Sequence, residues 1–184
     1  MPNINAAFGF QPVRHISGND PRTSEYNIDP AGYASSIFSG DLVSANAAGY
    51  LEVTGITGNA IGVFAGCSYT DDSGNYIYSE YYVGTTTGTN FIAYVYDDPY
   101  TIFKVQSSVT IGRADFGKNA PVDPALGGST LNGRSGQQIG VVSGTATNQL
   151  RILRLAKTPG NSLGANAVVE VLINQHSLKS TTGT

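Results

Sequence analysis

The sequence predicts an all-β fold, either an antiparallel β-sandwich or a small β-barrel. Three observations lead there. Apolar and aromatic residues alternate with period two over short runs, and clusters of Gly, Asn, Asp and Ser separate those runs. No helix-length stretch keeps an i, i+3, i+4, i+7 apolar stripe, because Gly, present 23 times, interrupts every candidate. The runs follow one another closely with no helices between them, which favours antiparallel pairing over a parallel sheet.

The elements read as follows along the chain. Residues 1–12 are small and polar and form an extended N-terminal arm, with Ile4, Phe8 and Phe10 as its apolar side chains. Residues 13–177 form a single β domain. Within it, "PAGYASSIF" (30–38) and "GRADFGKNA" (112–120) make at most a helical turn or a short helix. Strands are expected at "YLEVT" (50–54), "IGVFAGCSYT" (61–70), "YIYSEYYV" (76–83) and "FIAYVYD" (91–97), all rich in β-branched and aromatic residues. They continue at "TIFKVQ" (101–106), "QQIGVVS" (137–143), "QLRILRLA" (149–156) and "AVVEVLIN" (167–174). Residues 117–136, with two prolines and many glycines, read as one long irregular loop, with a tight turn at Asn132-Gly133. Residues 178–184 read as a flexible C-terminal tail.

Composition narrows the function. A chain of 184 residues suits one domain with its own core. Only 12% of residues are charged and the net charge is −3, against roughly 25% charged in ordinary domains. The ten basic residues are scattered, so no electrostatic grip on nucleic acid or an anionic membrane is expected. A surface of Ser, Thr, Asn and Gly has little charge to desolvate on meeting another protein. The single cysteine, Cys67, has no internal disulfide partner, and no Cys/His cluster suggests zinc or any other cofactor. The segment "MPNINAAFGF" lacks the basic-then-apolar pattern of a signal peptide, and no run is long enough to span a membrane.

Three motifs invite a catalytic or metal reading, and each is better read as a turn. "GNSLG" (160–164) matches a nucleophile elbow at Ser162, but a strand rather than a helix follows it. Its only downstream histidine, His176, lies at the far end of that strand, with Glu170 between. Asp71-Asp72, in "YTDDSGNYIY", lacks the spacing and the closing Glu of a calcium loop. The sequence alone leaves open whether Asp71-Asp72 or Asp97-Asp98 takes a cation. In "FIAYVYDDPYTIFKVQ" (91–106), Pro99 biases Asp98 toward an extended turn entry, and adjacent carboxylates on a strand end point to opposite faces. The runs on either side of "DDP" are expected to pair as a central hairpin.

The tyrosines are the stronger functional signal. Tyr76, Tyr78 and Tyr82 share one face of their run, and Tyr94 and Tyr96 share one face of theirs. Tyr is large, rigid and amphipathic, so these five are candidates for a subunit interface. A sugar platform is a rival use, although the chain has no Trp.

The ordered fragments "AAFGFQPVRHISG", "FSGDLV", "AIGVFAGCSYTDDSG", "FIAYVYDDPYTIFKVQ" and "TNQLRILRLAKTPGNSLGANAVVEVLINQH" resemble a family of tailed-bacteriophage proteins that decorate the capsid, the head cement or stabilisation proteins. The resemblance covers most of the chain and is weakest over 117–136. It implies a non-enzymatic protein on the outer capsid surface of the virion, bridging neighbouring subunits of the major capsid protein, and a homotrimer. It also implies that the arm, through Ile4, Phe8 and Phe10, lies along the shell. Deleting residues 2–10 should then weaken capsid binding and leave the domain folded. The alternatives are another virion part, such as a tail or fibre component, and a carbohydrate-binding β-sandwich.

Overall fold

The period-two runs become strands, and over 91–96 burial alternates residue by residue. The computed structural model describes residues 3–179. In chain order the strands begin with β1 (Gln11–His15), β2 (Ser24–Asn27), β3 (Leu42–Ala45), β4 (Leu51–Val53) and β5 (Gly62–Thr70). Next come β6 (Tyr76–Ser79), β7 (Thr89–Tyr96), β8 (Thr101–Gln106), β9 (Asn119–Ala120) and β10 (Val122–Asp123). Last are β11 (Gln138–Ile139), β12 (Leu150–Leu155) and β13 (Val168–Ile173). Of the two stretches allowed a helical turn, 112–120 holds a short 3-10 helix at Arg113–Asp115. The 30–38 stretch only turns, closed by Gly32 N–H on the Asp29 carbonyl.

Two antiparallel sheets pack as a sandwich and do not close into a barrel. The first has the order β1-β8-β13-β12-β9. The second has the order β2-β7-β5-β3-β4, with β6 beside the far half of β5. The pair β10-β11 forms a small separate ribbon. Phe103, Val105, Leu150, Ile152, Val169 and Val171 of the first sheet meet Leu42 and Val63 of the second, and this is the main core. The second sheet is also covered on its other face. There Phe64, Cys67, Phe91, Ala93 and Val95 pack under Ile28, Ile37 and Tyr82.

The expected central hairpin does not form. β7 and β8 belong to different sheets, so "DDP" is the crossover between the layers. The reason lies in the partners: β7 pairs with β2 and β5, and β8 with β1 and β13.

The described part of the arm is tied down by hydrogen bonds. From Asn3 to Gly9 it lies along its own domain. Asn3 Nδ2 donates to the Ser162 and Ala165 carbonyls, both at 2.8 Å. Gln106 donates to the Ile4 carbonyl at 2.8 Å and accepts from Ala6 N–H at 3.0 Å. Gly9 has φ +71°, and a Cβ there would lie 2.5 Å from Ser135 Cβ, so only glycine lets the arm pass. Gln11 and Pro12, the end of the expected arm, already belong to β1.

The 117–136 stretch is more regular than expected. It contains β9, β10 and a closed turn in which Ser129 N–H bonds the Arg134 carbonyl at 2.9 Å. Asn132-Gly133 sits in that turn, as its sequence suggested, with Gly133 at φ +68°. Of the expected C-terminal tail, Leu178 and Lys179 instead belong to a 3-10 turn, Ser177–Lys179, and 180–184 lie outside the described residues.

Candidate functional site

The candidate surface is the part of the second sheet that extends past the sandwich. Along β7, Ile92, Tyr94 and Tyr96 share one face, as alternation requires. Tyr96 packs against the main core where the first sheet covers that face. Farther along the cover ends, and Tyr94 meets the two tyrosines of β6. The register Ser68↔Tyr78, Thr70↔Tyr76, Ser68↔Ile92 and Gly66↔Tyr94 places these residues on one open face. Tyr76 is 68% exposed and Tyr78 61%. The rings of Tyr78 and Tyr94 lie 6.0 Å apart, and the Tyr94 hydroxyl shares a 3.1 Å hydrogen bond with Ser68 Oγ. Gly66 makes room, since a Cβ there would meet the Tyr78 hydroxyl and the Ser79 carbonyl at 3.0 Å. The register slips between Phe64 and Gly66, and sequence alternation alone carries no sign of that slip.

Two of the proposed tyrosines are therefore not surface groups of this patch. Tyr82 is 1% exposed and lies in the second core, T-shaped against Phe91 at 5.8 Å. The run expected to be a strand over 76–83 ends at Ser79, and the chain turns before Tyr82 bridges Ile37. Ser79 Oγ donates to the Tyr81 carbonyl at 2.6 Å, which bends the backbone there. Tyr96 is the second, half covered as described.

The arm candidates divide as well. Ile4 is 82% exposed, beside Pro159 and Val168. Phe8 is half-buried over a cleft that it shares with Phe64 and Tyr96. Phe10 is 1% exposed in the protein's own main core, its N–H bonded to the Gly40 carbonyl at 2.9 Å. It cannot also anchor the arm to another surface. A deletion of residues 2–10 would remove this core side chain, so the fold would not survive it unchanged.

The motifs with a catalytic or metal reading are not assembled into sites. Ser162 stands in the exposed loop between β12 and β13, with Asn3 Oδ1 3.4 Å from its hydroxyl. His176 follows the other end of β13, and Glu170 accepts from Arg14 at 3.0 Å and Arg154 at 2.8 Å. Asp71 binds its own turn: Oδ1 accepts from Ser73 N–H and Asn75 N–H, and Oδ2 from the Asn75 amide. These bonds, Asn75's first, hold its carboxyl below the usual carboxylate value. Asp97 accepts from Ser24 Oγ and Tyr26 OH, both at 2.9 Å, while Asp98 accepts from Tyr100 N–H at 2.8 Å. The two carboxylates thus face different partners and form no dyad. Among the described residues, no three His, Cys, Asp or Glu side chains converge as metal ligands. Burial pushes the Cys67 thiol up to about 12, so it is not poised as a thiolate. No described helix is long and apolar enough to cross a membrane.

No protein-family model matches the chain, and no curated protein or solved structure matches it.

Proposed function

We propose that this chain is a non-enzymatic cement protein of a tailed-phage head. It binds the outer capsid surface as a homotrimer and bridges neighbouring major-capsid subunits. The observation that carries this reading is the open tyrosine face of Tyr76, Tyr78 and Tyr94 on a domain with only 12% charged residues. Tyr78 packs beside a half-buried Tyr94 that Ser68 holds by its hydroxyl, so the patch loses little entropy when covered, and few charges need to be stripped of water. Ile4 and Leu131, 82% and 95% exposed, add apolar points on the arm and at the tip of the 129–134 turn. Several modest contacts repeated around a trimer give avidity without one large interface. The phage assignment itself rests on the ordered fragments that resemble the cement family.

The test is co-sedimentation with capsid shells, with the bound protein located by electron cryo-microscopy. Saturating decoration of the outer surface is expected. Replacing Tyr76 and Tyr78 together by Ser should weaken subunit or shell contact roughly thirtyfold in affinity, with the fold retained. Unchanged decoration would remove the tyrosine face from the interface. The rival reading has support from the same rings, since aromatic side chains on an open sheet also stack on sugars. Retention on a polysaccharide matrix, abolished by the same double substitution, would favour it.

A further inference from the structure

The layer-crossing turn gathers both histidines of the chain, which are far apart in sequence. His15 places Nε2 3.4 Å from Asp98 Oδ1. His176, just past β13, is 2% exposed. Its Nδ1 accepts the Leu178 N–H at 3.1 Å, so the neutral ring carries its proton on Nε2. That Nε2 is buried and, among the described residues, has no hydrogen-bond partner of ordinary geometry, although the Asp97 backbone lies close enough to favour a proton there.

The backbone around His176 closes a clasp. Ala60 N–H bonds the Gln175 carbonyl at 2.8 Å, and Ser177 N–H returns to the Ala60 carbonyl at 2.9 Å. Lys179 N–H bonds the His176 carbonyl at 2.9 Å, and Lys179 Nζ lies 4.5 Å over the Tyr100 ring. The C-terminal turn thereby ties the start of β5 to the layer-crossing turn.

A second proton on this ring must go to Nδ1. It would set two N–H donors face to face and place a charge in a dry site. The surrounding groups do not rescue it. Lys179, on the same turn, opposes the charge, and Arg151 lies near Lys179. Asp97 and Asp98 favour it, but Asp97 already serves Ser24 and Tyr26, and Asp98 serves His15 and Tyr100. Ala60, which grips the clasp from β5's side, brings no charge. Burial outweighs the carboxylates and pushes the ring down to about 4 from an ordinary 6.5.

We propose that Gln175–Lys179 is an acid-released latch: protonation of His176 at Nδ1 breaks the Leu178 bond and frees the C-terminal turn from Ala60 and Tyr100 while the sandwich stays folded. The latch does not depend on the cement reading. The released ring takes up its proton at an ordinary histidine value, so the closed form is fully favoured above pH 6.5. It is lost progressively as pH falls from 6.5 through about 4.

Amide hydrogen exchange of the full chain, followed by NMR from pH 7 to 4.5, tests this. Protection factors for Ala60, Ser177 and Lys179 should fall about tenfold per pH unit below 6.5, while those of Ile152 and Val171 in the core hold. His176→Asn keeps an acceptor two residues before Leu178 N–H but cannot titrate, and its protection should stay flat with pH. Equal pH dependence in His176→Asn and wild type would overturn the proposal by assigning the effect to the carboxylates. If the variant's latch is open at every pH, the wild-type ring decides. A His176 resonance titrating near 6.5, or Ser177 protection unchanged down to pH 4.5, overturns it.

Discussion

The two Asp-Asp turns of this protein have nearly the same local chemistry and opposite reach. Asp71-Asp72 joins β5 to β6 within one sheet, and Asp71 is spent on Ser73 and Asn75 of its own turn. Asp97-Asp98 joins β7 to β8 across the two layers. Its carboxylates hold Ser24 and Tyr26 from β2 and His15 from β1, and its flank faces His176 and Lys179. A turn within a sheet needs only to reverse the chain. A turn between sheets stands where several strand ends meet, so the same two residues become a hub.

Removing the hub should therefore cost far more than removing the local cap. Asp97→Ala strips two charge-assisted hydrogen bonds and leaves Ser24 and Tyr26 without an acceptor. A loss of about 3 kcal/mol in urea unfolding is expected. Burial first, then the bond and charge of Asp97, push the Tyr26 hydroxyl from 10.0 up to about 12. The folded form keeps that phenol neutral. Its stability is complete below pH 10 and is lost as pH rises from 10 through 12, and Asp97→Ala should shrink that alkaline loss.

The local turn gives the smaller number. Asp71→Ala removes three bonds that are all solvent-exposed and confined to five residues, so the same unfolding assay should show a midpoint shift clearly smaller than that of Asp97→Ala. Losses of equal size at Asp71 and Asp97 would erase the distinction between cap and hub.

The comparison also explains what could be read from the residues. The strands at 61–70, 101–106 and 149–156 were legible because period-two alternation is a local property of the chain. The turn at Asp71 was legible because Asp, Gly and Asn at that spacing bond their own backbone. Layer assignment is not local, so "FIAYVY" and "TIFKVQ" looked like a hairpin and are instead in different sheets. Phe10 looked like a free anchor because nothing near it in sequence is its core; Leu42, Val63 and Phe103 come from three distant segments. The glutamines hide a similar role. Gln149, fully buried, accepts Val122 N–H at 3.2 Å and donates to the Gly55 carbonyl at 2.7 Å, stapling β10 to the loop after β4, two segments that sequence would leave apart. Strand alternation sets Tyr76 and Tyr78 on one open face, and Tyr82 leaves that face because one serine side chain bends the strand before it.

The last and smallest effect belongs to Asp72. Its Oδ2 accepts the Thr87 hydroxyl at 2.6 Å, the only bond from this turn to another segment among those described. The pair lies at the surface, where water replaces either partner at little cost. Asp72→Ala should change stability by less than about 0.5 kcal/mol, near the resolution of a urea titration. A loss as large as that of Asp97→Ala would mean that reach to a second segment, rather than burial at a crossing between layers, makes an acidic turn a hub.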